Sequence, residues 1–435
     1  MLCGFVAIAA LALPNLPSAA APGTFDLIHN FCTLPVGCRD GVNPAANLVM
    51  DHAGNLYGTT VDGGAQQAGT VFKLTPIPGQ IRWKEQILYN FCALDDCADG
   101  SSPEGALIVD TSGNLYGTTS SGGTANNNGT IFELSPVAGR NLWSEKVLYS
   151  FCSNDSACTD GSQPEAGLTY AGAASGAAYD GISTLYGTAA MGGKHGSGAA
   201  FTFSRLNRGS WVERPIYEFC SERLEACADG FNPVTRLLVG SAGTLYGTTV
   251  FGGANQEGTA FRLKFNSGAR LWTETVLHNF CALANCADGK RPSSALVMDG
   301  QGNLYGTTFF GGTGVFCSQI ACGTIYAISP SGDESVVYNF CSKAACGDGS
   351  IPQGDLAMNE SGGIFGATRG YYASNILFEL TGKSLTVLHN FCSNDPNCLG
   401  GSIQQGVIMD SSGNLFGIAY QHGRSTYGSV FEWSP

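Results

Sequence analysis

Near the C-terminus, Tyr420, His422 and Arg424 lie within five residues of one another. A histidine set between a phenol and a guanidinium has the parts for proton abstraction beside a uronate carboxylate neutralised by arginine, which is lyase chemistry. A second group recurs along the chain: Asp40, Asp99, Asp160, Asp229, Asp288 and Asp348, with Gly400 at the seventh place. A ring of carboxylates would suit Ca²⁺, a cation that takes several oxygen ligands. Each aspartate stands in the context Asp-Gly-x-x-Pro, however, where a carboxylate accepts backbone N–H bonds in a turn, and turn formation is the expected role.

The cysteines form the third group. Of 17, Cys3 stands apart and the rest fall into close pairs: Cys32/Cys38, Cys92/Cys97, Cys152/Cys158, Cys220/Cys227, Cys281/Cys286, Cys317/Cys322, Cys341/Cys346 and Cys392/Cys398. Structural zinc wants two close pairs converging on one ion, and these pairs are spread along the chain with variable spacing. Disulfides are expected instead, and neither a metal nor a cofactor. The nucleophile elbow Gly-x-Ser-x-Gly, the zinc motif His-Glu-x-x-His and the P-loop are all missing. His29, His278 and His389 share one repeat position that elsewhere holds Tyr, so they are read as structural. The Tyr of Leu-Tyr-Gly-Thr-Thr is read as a core aromatic.

These groups are positioned by a repeat. The Phe before each first Cys recurs at Phe31, Phe91, Phe151, Phe219, Phe280, Phe340 and Phe391, a period of about sixty residues that marks solenoids or propellers. Each unit carries four strand-like stretches, in the second Ala106–Val109, Leu115–Thr119, Thr130–Leu134 and Trp143–Phe151. Seven units of four antiparallel strands predict an all-β, seven-bladed propeller. Phe25–Phe31 reads as a fourth strand and Ser429–Phe431 as a third, so the N-terminal strand is expected to complete the last blade and close the ring. The organisation expected is a secretion signal over residues 1–20 and one propeller domain over 21–435.

The pattern Leu-Tyr-Gly-Thr-Thr…Gly-Gly…Gly-Thr-Val/Ile-Phe resembles that of the bacterial tandem-repeat proteins named for their GloVer motif. It is carried here by Leu56–Thr60 with Gly69–Phe72, Leu115–Thr119 with Gly129–Phe132, Leu245–Thr249 with Gly258–Phe261, and Leu304–Thr308 with Gly323–Tyr326. The resemblance implies an exported surface protein with varied C-terminal anchors and confers no activity. This chain shows no such anchor, which favours a free secreted or periplasmic form.

If the first strand of each blade lines the channel, the Cys loops and the Gly-Gly loops emerge together on one disulfide-braced face. There the repeat breaks in three consecutive units: Phe309, Phe310 and Phe316 in unit five, Arg369, Tyr371 and Tyr372 in unit six, and Tyr420, His422 and Arg424 in unit seven. Aromatics with Arg and His make a candidate sugar- or anion-binding patch, against the alternative of ordinary drift in unconstrained loops. A net charge of −13 without a basic cluster argues against nucleic acid. Met1–Leu13 is almost wholly apolar and Ser18-Ala19-Ala20 fits a cleavage site, although no Lys or Arg precedes Arg39 and the true start is expected elsewhere. Nothing later is apolar enough to span a bilayer. The expectation is a secreted or periplasmic monomer that binds a carbohydrate or a cell-surface partner. The competing expectation is a polysaccharide lyase or glycosidase using the loops of blades five to seven, and a third is a purely structural envelope role.

Overall fold

The computed structural model describes residues 23–33, 37–124, 126–153, 157–206, 209–221, 227–316, 322–370, 375–391, 403, 405–420 and 427–435. They form seven antiparallel sheets arranged in a ring, a seven-bladed β-propeller. Blade two runs outward from the channel as Ile108–Val109, Leu115–Thr119, Thr130–Pro136 and Trp143–Ser150. Its inner strand is shorter than the sequence predicts, with Gly105 and Ala106 lining the channel instead. In blades one and five the inner strand has an extra piece, Val42–Pro44 and Lys290–Pro292, paired with the far end of the second strand.

The repeated residues build the blade. Tyr57 donates its hydroxyl to Asp51 at 2.9 Å, and the same aspartate accepts the N–H groups of Ala53 and Asn55. A single carboxylate therefore closes the first hairpin and anchors the second strand. Tyr116 with Asp110 and Tyr305 with Asp299 repeat the arrangement. The glycine that follows lies beneath an aromatic of the third strand: a Cβ on Gly117 would meet the Phe132 ring at 2.6 Å. Buried threonines lock the second strand to the third, as Thr119 Oγ1 does with Thr130 Oγ1 at 2.9 Å.

Successive blades meet through aromatic pairs. Phe31 packs edge-on against Phe72 with centroids 5.0 Å apart, Phe91 against Phe132 at 5.1 Å and Phe151 against Phe201 at 5.4 Å. Phe219 with Phe261, Phe280 with Tyr326, Phe340 with Phe378 and Phe391 with Phe431 continue the series round the ring. The recurring Phe is therefore an inter-blade contact, each ring contributing about 2 kcal/mol by burial. Closure follows the same rule. The strand Thr24–Asn30 pairs with Ser429–Ser434, Leu27 opposite Phe431, and delivers Phe31 to blade one.

Candidate functional site

The braced face is built from loops whose backbone is unusual for their residue type. Both members of each described disulfide, Cys92 and Cys97 for example, have φ in the left-handed region, at 61° and 53°. Cysteine rarely sits there unaided. The buried aspartate supplies the support. Asp99 accepts the N–H groups of Ala93 and Leu94 and the hydroxyl of Tyr89, at 2.9, 3.1 and 2.8 Å. Asp160, Asp229, Asp288 and Asp348 receive equivalent bonds from their own Cys loops. The donors thus come from the disulfide loop rather than from the aspartate's own turn. The repeat position is explained in five junctions: His278 Nε2 lies 3.1 Å from Asp288 where Tyr89, Tyr149, Tyr217 and Tyr338 offer a phenol. Burial holds that imidazole below its usual pKa against the pull of Asp288.

Among the described residues six disulfides join Cys32–Cys38, Cys92–Cys97, Cys152–Cys158, Cys220–Cys227, Cys281–Cys286 and Cys341–Cys346. Cys322 is also disulfide-bonded, while Cys317, Cys392 and Cys398 lie outside the described residues.

On this braced base blades one to five each present one residue just before the loop's Gly-Gly pair. Going round the ring these are Asp62, Ser121, Met191, Phe251 and Phe310, while Arg369 and Tyr420 stand one residue earlier in blades six and seven, at the place of Val61, Ser120 and Phe309. Their equivalence is fixed by pairing, Asp62 with Val42, Ser121 with Ser101, Met191 with Ser162, Phe251 with Phe231 and Phe310 with Lys290. None of the seven is buried. Between blades four and five the ring becomes an aromatic platform. Phe231 and Phe251 stack at 5.3 Å, and the Arg291 guanidinium lies 5.2 Å from the Phe251 centroid and 5.7 Å from that of Phe310. Glu257 holds Arg291 and Lys290 in place at 3.2 and 3.4 Å. Phe309 packs edge-on against Phe310 at 4.5 Å.

Across the mouth the chemistry is polar. Burial raises the Tyr420 phenol, the carboxylates of Asp62 and Glu104 raise it further, and Arg369 opposes them. The three charged side chains, from blades one, two and six, therefore lie within electrostatic reach of Tyr420 on blade seven. A second set lies one step deeper, at the residue after the turn proline. It includes Glu104, which accepts the Ser120 hydroxyl at 2.8 Å, and Glu165, which burial and then Glu104 push up to about 7. Below them a belt crosses the channel: Arg236 lies 3.6 Å from Asp355, which also accepts Asn47 Nδ2 and the Ala295 N–H. Arg236 lines all three channel cavities, the largest of about 730 Å³ on the face of the hairpins.

Of the sequence candidates, Phe310 is a member of the ring, and Arg369 and Tyr420 stand one residue earlier in their strands, at the position of Phe309. Phe309 supports the ring. Phe316 is exposed in the unit-five loop, its N–H bonded to Cys341 O at 3.2 Å. Tyr371, Tyr372, His422 and Arg424 lie outside the described residues. Sequence reasoning missed Asp62, Ser121, Met191 and Phe251, as well as Glu104, Glu165 and Arg236. A signal existed, since these positions vary from copy to copy between flanks that repeat. Also missed was the insertion around Gly172–Gly181, which carries the fully buried Tyr179 and walls one channel cavity of about 460 Å³.

The family model described as the Gloeobacter/Verrucomicrobia repeat matches residues 18–183 and 175–431. Among curated proteins none is similar to this chain. Similar solved structures include PorZ, a surface component of the type-IX secretion system of Porphyromonas gingivalis. It is 14% identical, with a TM-score of 0.49, over 90% of this chain and 46% of that one. Trypanosoma rangeli sialidase in complex with the inhibitor DANA is 8% identical, with a TM-score of 0.40, over 83% of this chain and 57% of that one. Penicillium chrysogenum α-L-arabinanase complexed with arabinobiose is 10% identical, with a TM-score of 0.42, over 95% and 98%. The chain spans about half the length of the first two. Overlaps this loose assign no role to any residue here.

Proposed function

Since the chain belongs to the Gloeobacter/Verrucomicrobia repeat family and sets variable side chains on a repeated, braced scaffold, we propose that it is an exported recognition propeller whose braced mouth binds a carbohydrate. The observation that carries this reading is the platform of Phe231, Phe251 and Phe310 around Arg291. Partly exposed aromatic faces take the apolar faces of sugar rings, and a few fixed polar groups set orientation. Asp62, Arg369, Tyr420 and Glu104 supply such groups across the same mouth. Six formed disulfides fit a protein that works in an oxidising compartment.

Glu165 favours a second reading, a glycosidase. Its carboxyl is held protonated up to about pH 7 beside the carboxyl of Glu104, the property a general acid needs. That moves the enzyme reading from the loops of blades five to seven to the mouth between blades two and three.

One experiment separates the two. The oxidised protein is assayed on a panel of plant and microbial polysaccharides for retained binding and for release of reducing ends and unsaturated uronate. Binding without release, weakened about tenfold or more by Phe251→Ala and by Phe310→Ala, is the expected result. Release abolished by Glu165→Gln would establish the glycosidase instead. Binding that survives both Phe substitutions would overturn the platform.

A further inference from the structure

The seam where the ring closes carries a group of side chains outside the mouth. His29 Nε2, a carboxylate oxygen of Asp40 and one of Glu85 all lie within 4.8 Å of one another. Among the described residues no other His, Cys, Asp and Glu side chains gather three together so closely. The three come from separate elements. His29 is on the closing strand Thr24–Asn30, Asp40 follows the Cys32–Cys38 loop, and Glu85 is on the outer strand Lys84–Asn90 of blade one.

Equivalent junctions show what is unusual here. Tyr89, Tyr149, Tyr217, Tyr338 and His278 each reach their own aspartate at 2.6–3.1 Å. At the seam His29 Nε2 faces Glu85 Oε1 instead, at 3.2 Å. Both atoms are sealed from solvent, and neither is in hydrogen-bonding geometry with any partner. The glutamate oxygen is left so at other junctions too, at Glu145, Glu213 and Glu334. What sets the seam apart is the imidazole nitrogen, in ion-pair contact with Glu85 but without a hydrogen bond, an arrangement that a bound cation would satisfy. Asp40 keeps one feature of the other junctions: its Oδ2 accepts the Cys32 N–H at 2.8 Å, which orients the carboxylate as an outer-shell partner would.

We propose that this seam binds one first-row divalent metal ion through His29 Nε2 and the carboxylates of Asp40 and Glu85. One imidazole with two carboxylates suits Mn²⁺, Fe²⁺ or Zn²⁺ better than Ca²⁺, which prefers oxygen alone. A cavity of about 490 Å³ lined by His29 and Glu85 together with Asn30, Thr33, Arg82 and Trp83 adjoins the cluster and leaves room for further ligands. The ion joins the closing strand to the outer strand of blade one, so it fixes in place the strand whose pairing with Ser429–Ser434 closes the ring. The sequence expectation of no metal considered only the cysteines and the aspartate ring. It did not bring Glu85 to His29, more than fifty residues away in the chain.

The test uses the full chain, oxidised and stripped with a chelator, titrated with Zn²⁺ and with Mn²⁺ by calorimetry and followed by thermal unfolding. Expected are one equivalent bound per chain and a melting temperature that climbs with metal concentration. His29→Ala and the near-isosteric Glu85→Gln should each weaken binding at least tenfold and abolish the metal-dependent shift. His278→Ala, at the equivalent junction between blades four and five, should leave both intact. Failure of the stripped wild-type protein to bind either ion would overturn the proposal. So would binding that persists unchanged in both seam variants, which would assign the ion to an incidental surface histidine.

Discussion

The Asp99 carboxylate is fully buried and accepts two backbone N–H groups and one phenol. A charge can be buried this deeply only because its oxygens are met by donors. The same donors hold the Cys92–Cys97 loop in its left-handed backbone, so the disulfide and the aspartate brace one another. Asp99→Ala leaves those donors facing an apolar void. The expected cost is about 3 kcal/mol, read as a fall in the urea midpoint with the disulfide intact, and Asp99→Asn should cost less. Equal stability of the alanine variant would mean that the disulfide alone sets the loop. At the seventh junction, where Gly400 replaces Asp, the packing partner changes as well: Phe25 stacks on His389 at 3.7 Å.

Within the blade, shape and charge both leave tests. Gly117→Ala would drive a methyl group into Phe132 and Leu107, with backbone φ unconstrained but no room for the added carbon. Overpacking of this kind costs about 1–3 kcal/mol, seen as a lower denaturation midpoint. Phe132→Leu in the same chain should recover part of it. The outer strands carry a glutamate that faces the aspartate of the neighbouring junction. Burial, then that aspartate, pushes Glu213 up to about 9, Glu145 up to about 8 and Glu334 up to about 7. The folded chain therefore keeps protons that the unfolded chain releases near the ordinary value of 4.5. Their stabilising contribution is full below about that pH and is lost as pH rises through 7 to 9. The urea midpoint should fall from pH 6 to pH 9.5, and Glu213→Gln should flatten the fall. A midpoint that rises over this range would exclude the protonated junction.

For the whole molecule, closure decides the outcome. Without the strand Thr24–Asn30, the strand Ser429–Ser434 becomes an open sheet edge and Phe72 loses its Phe31 partner. Open apolar edges recruit other chains. Deleting residues 23–31 should abolish the single calorimetric transition and raise light scattering, whereas deleting the residues before Gly23 should change neither. A cooperative, monomeric deletion variant would show that the ring does not depend on this strand.

How much was legible follows from how each feature is encoded. Blade number, strand order and closure were readable because each blade repeats one local pattern: Asp and Asn to close a hairpin, Tyr and Gly to pack it, Phe to meet the next blade. Repetition made each signal visible several times over, and the Phe seven times. Part of the mouth was readable as well, since Phe310, Arg369 and Tyr420 break the pattern in the same loop of consecutive blades. Asp62, Ser121 and Met191 were not, because as single residues they resemble ordinary loop chemistry and become a site only when the ring sets them side by side. The same holds for Glu104 with Glu165 and for His29 with Glu85. By itself the sequence determined what each blade is, because a blade is made by contacts between residues near in the chain. Only the tertiary structure decided which side chains share a mouth or a seam, because those neighbours lie in different blades and meet only when the ring closes.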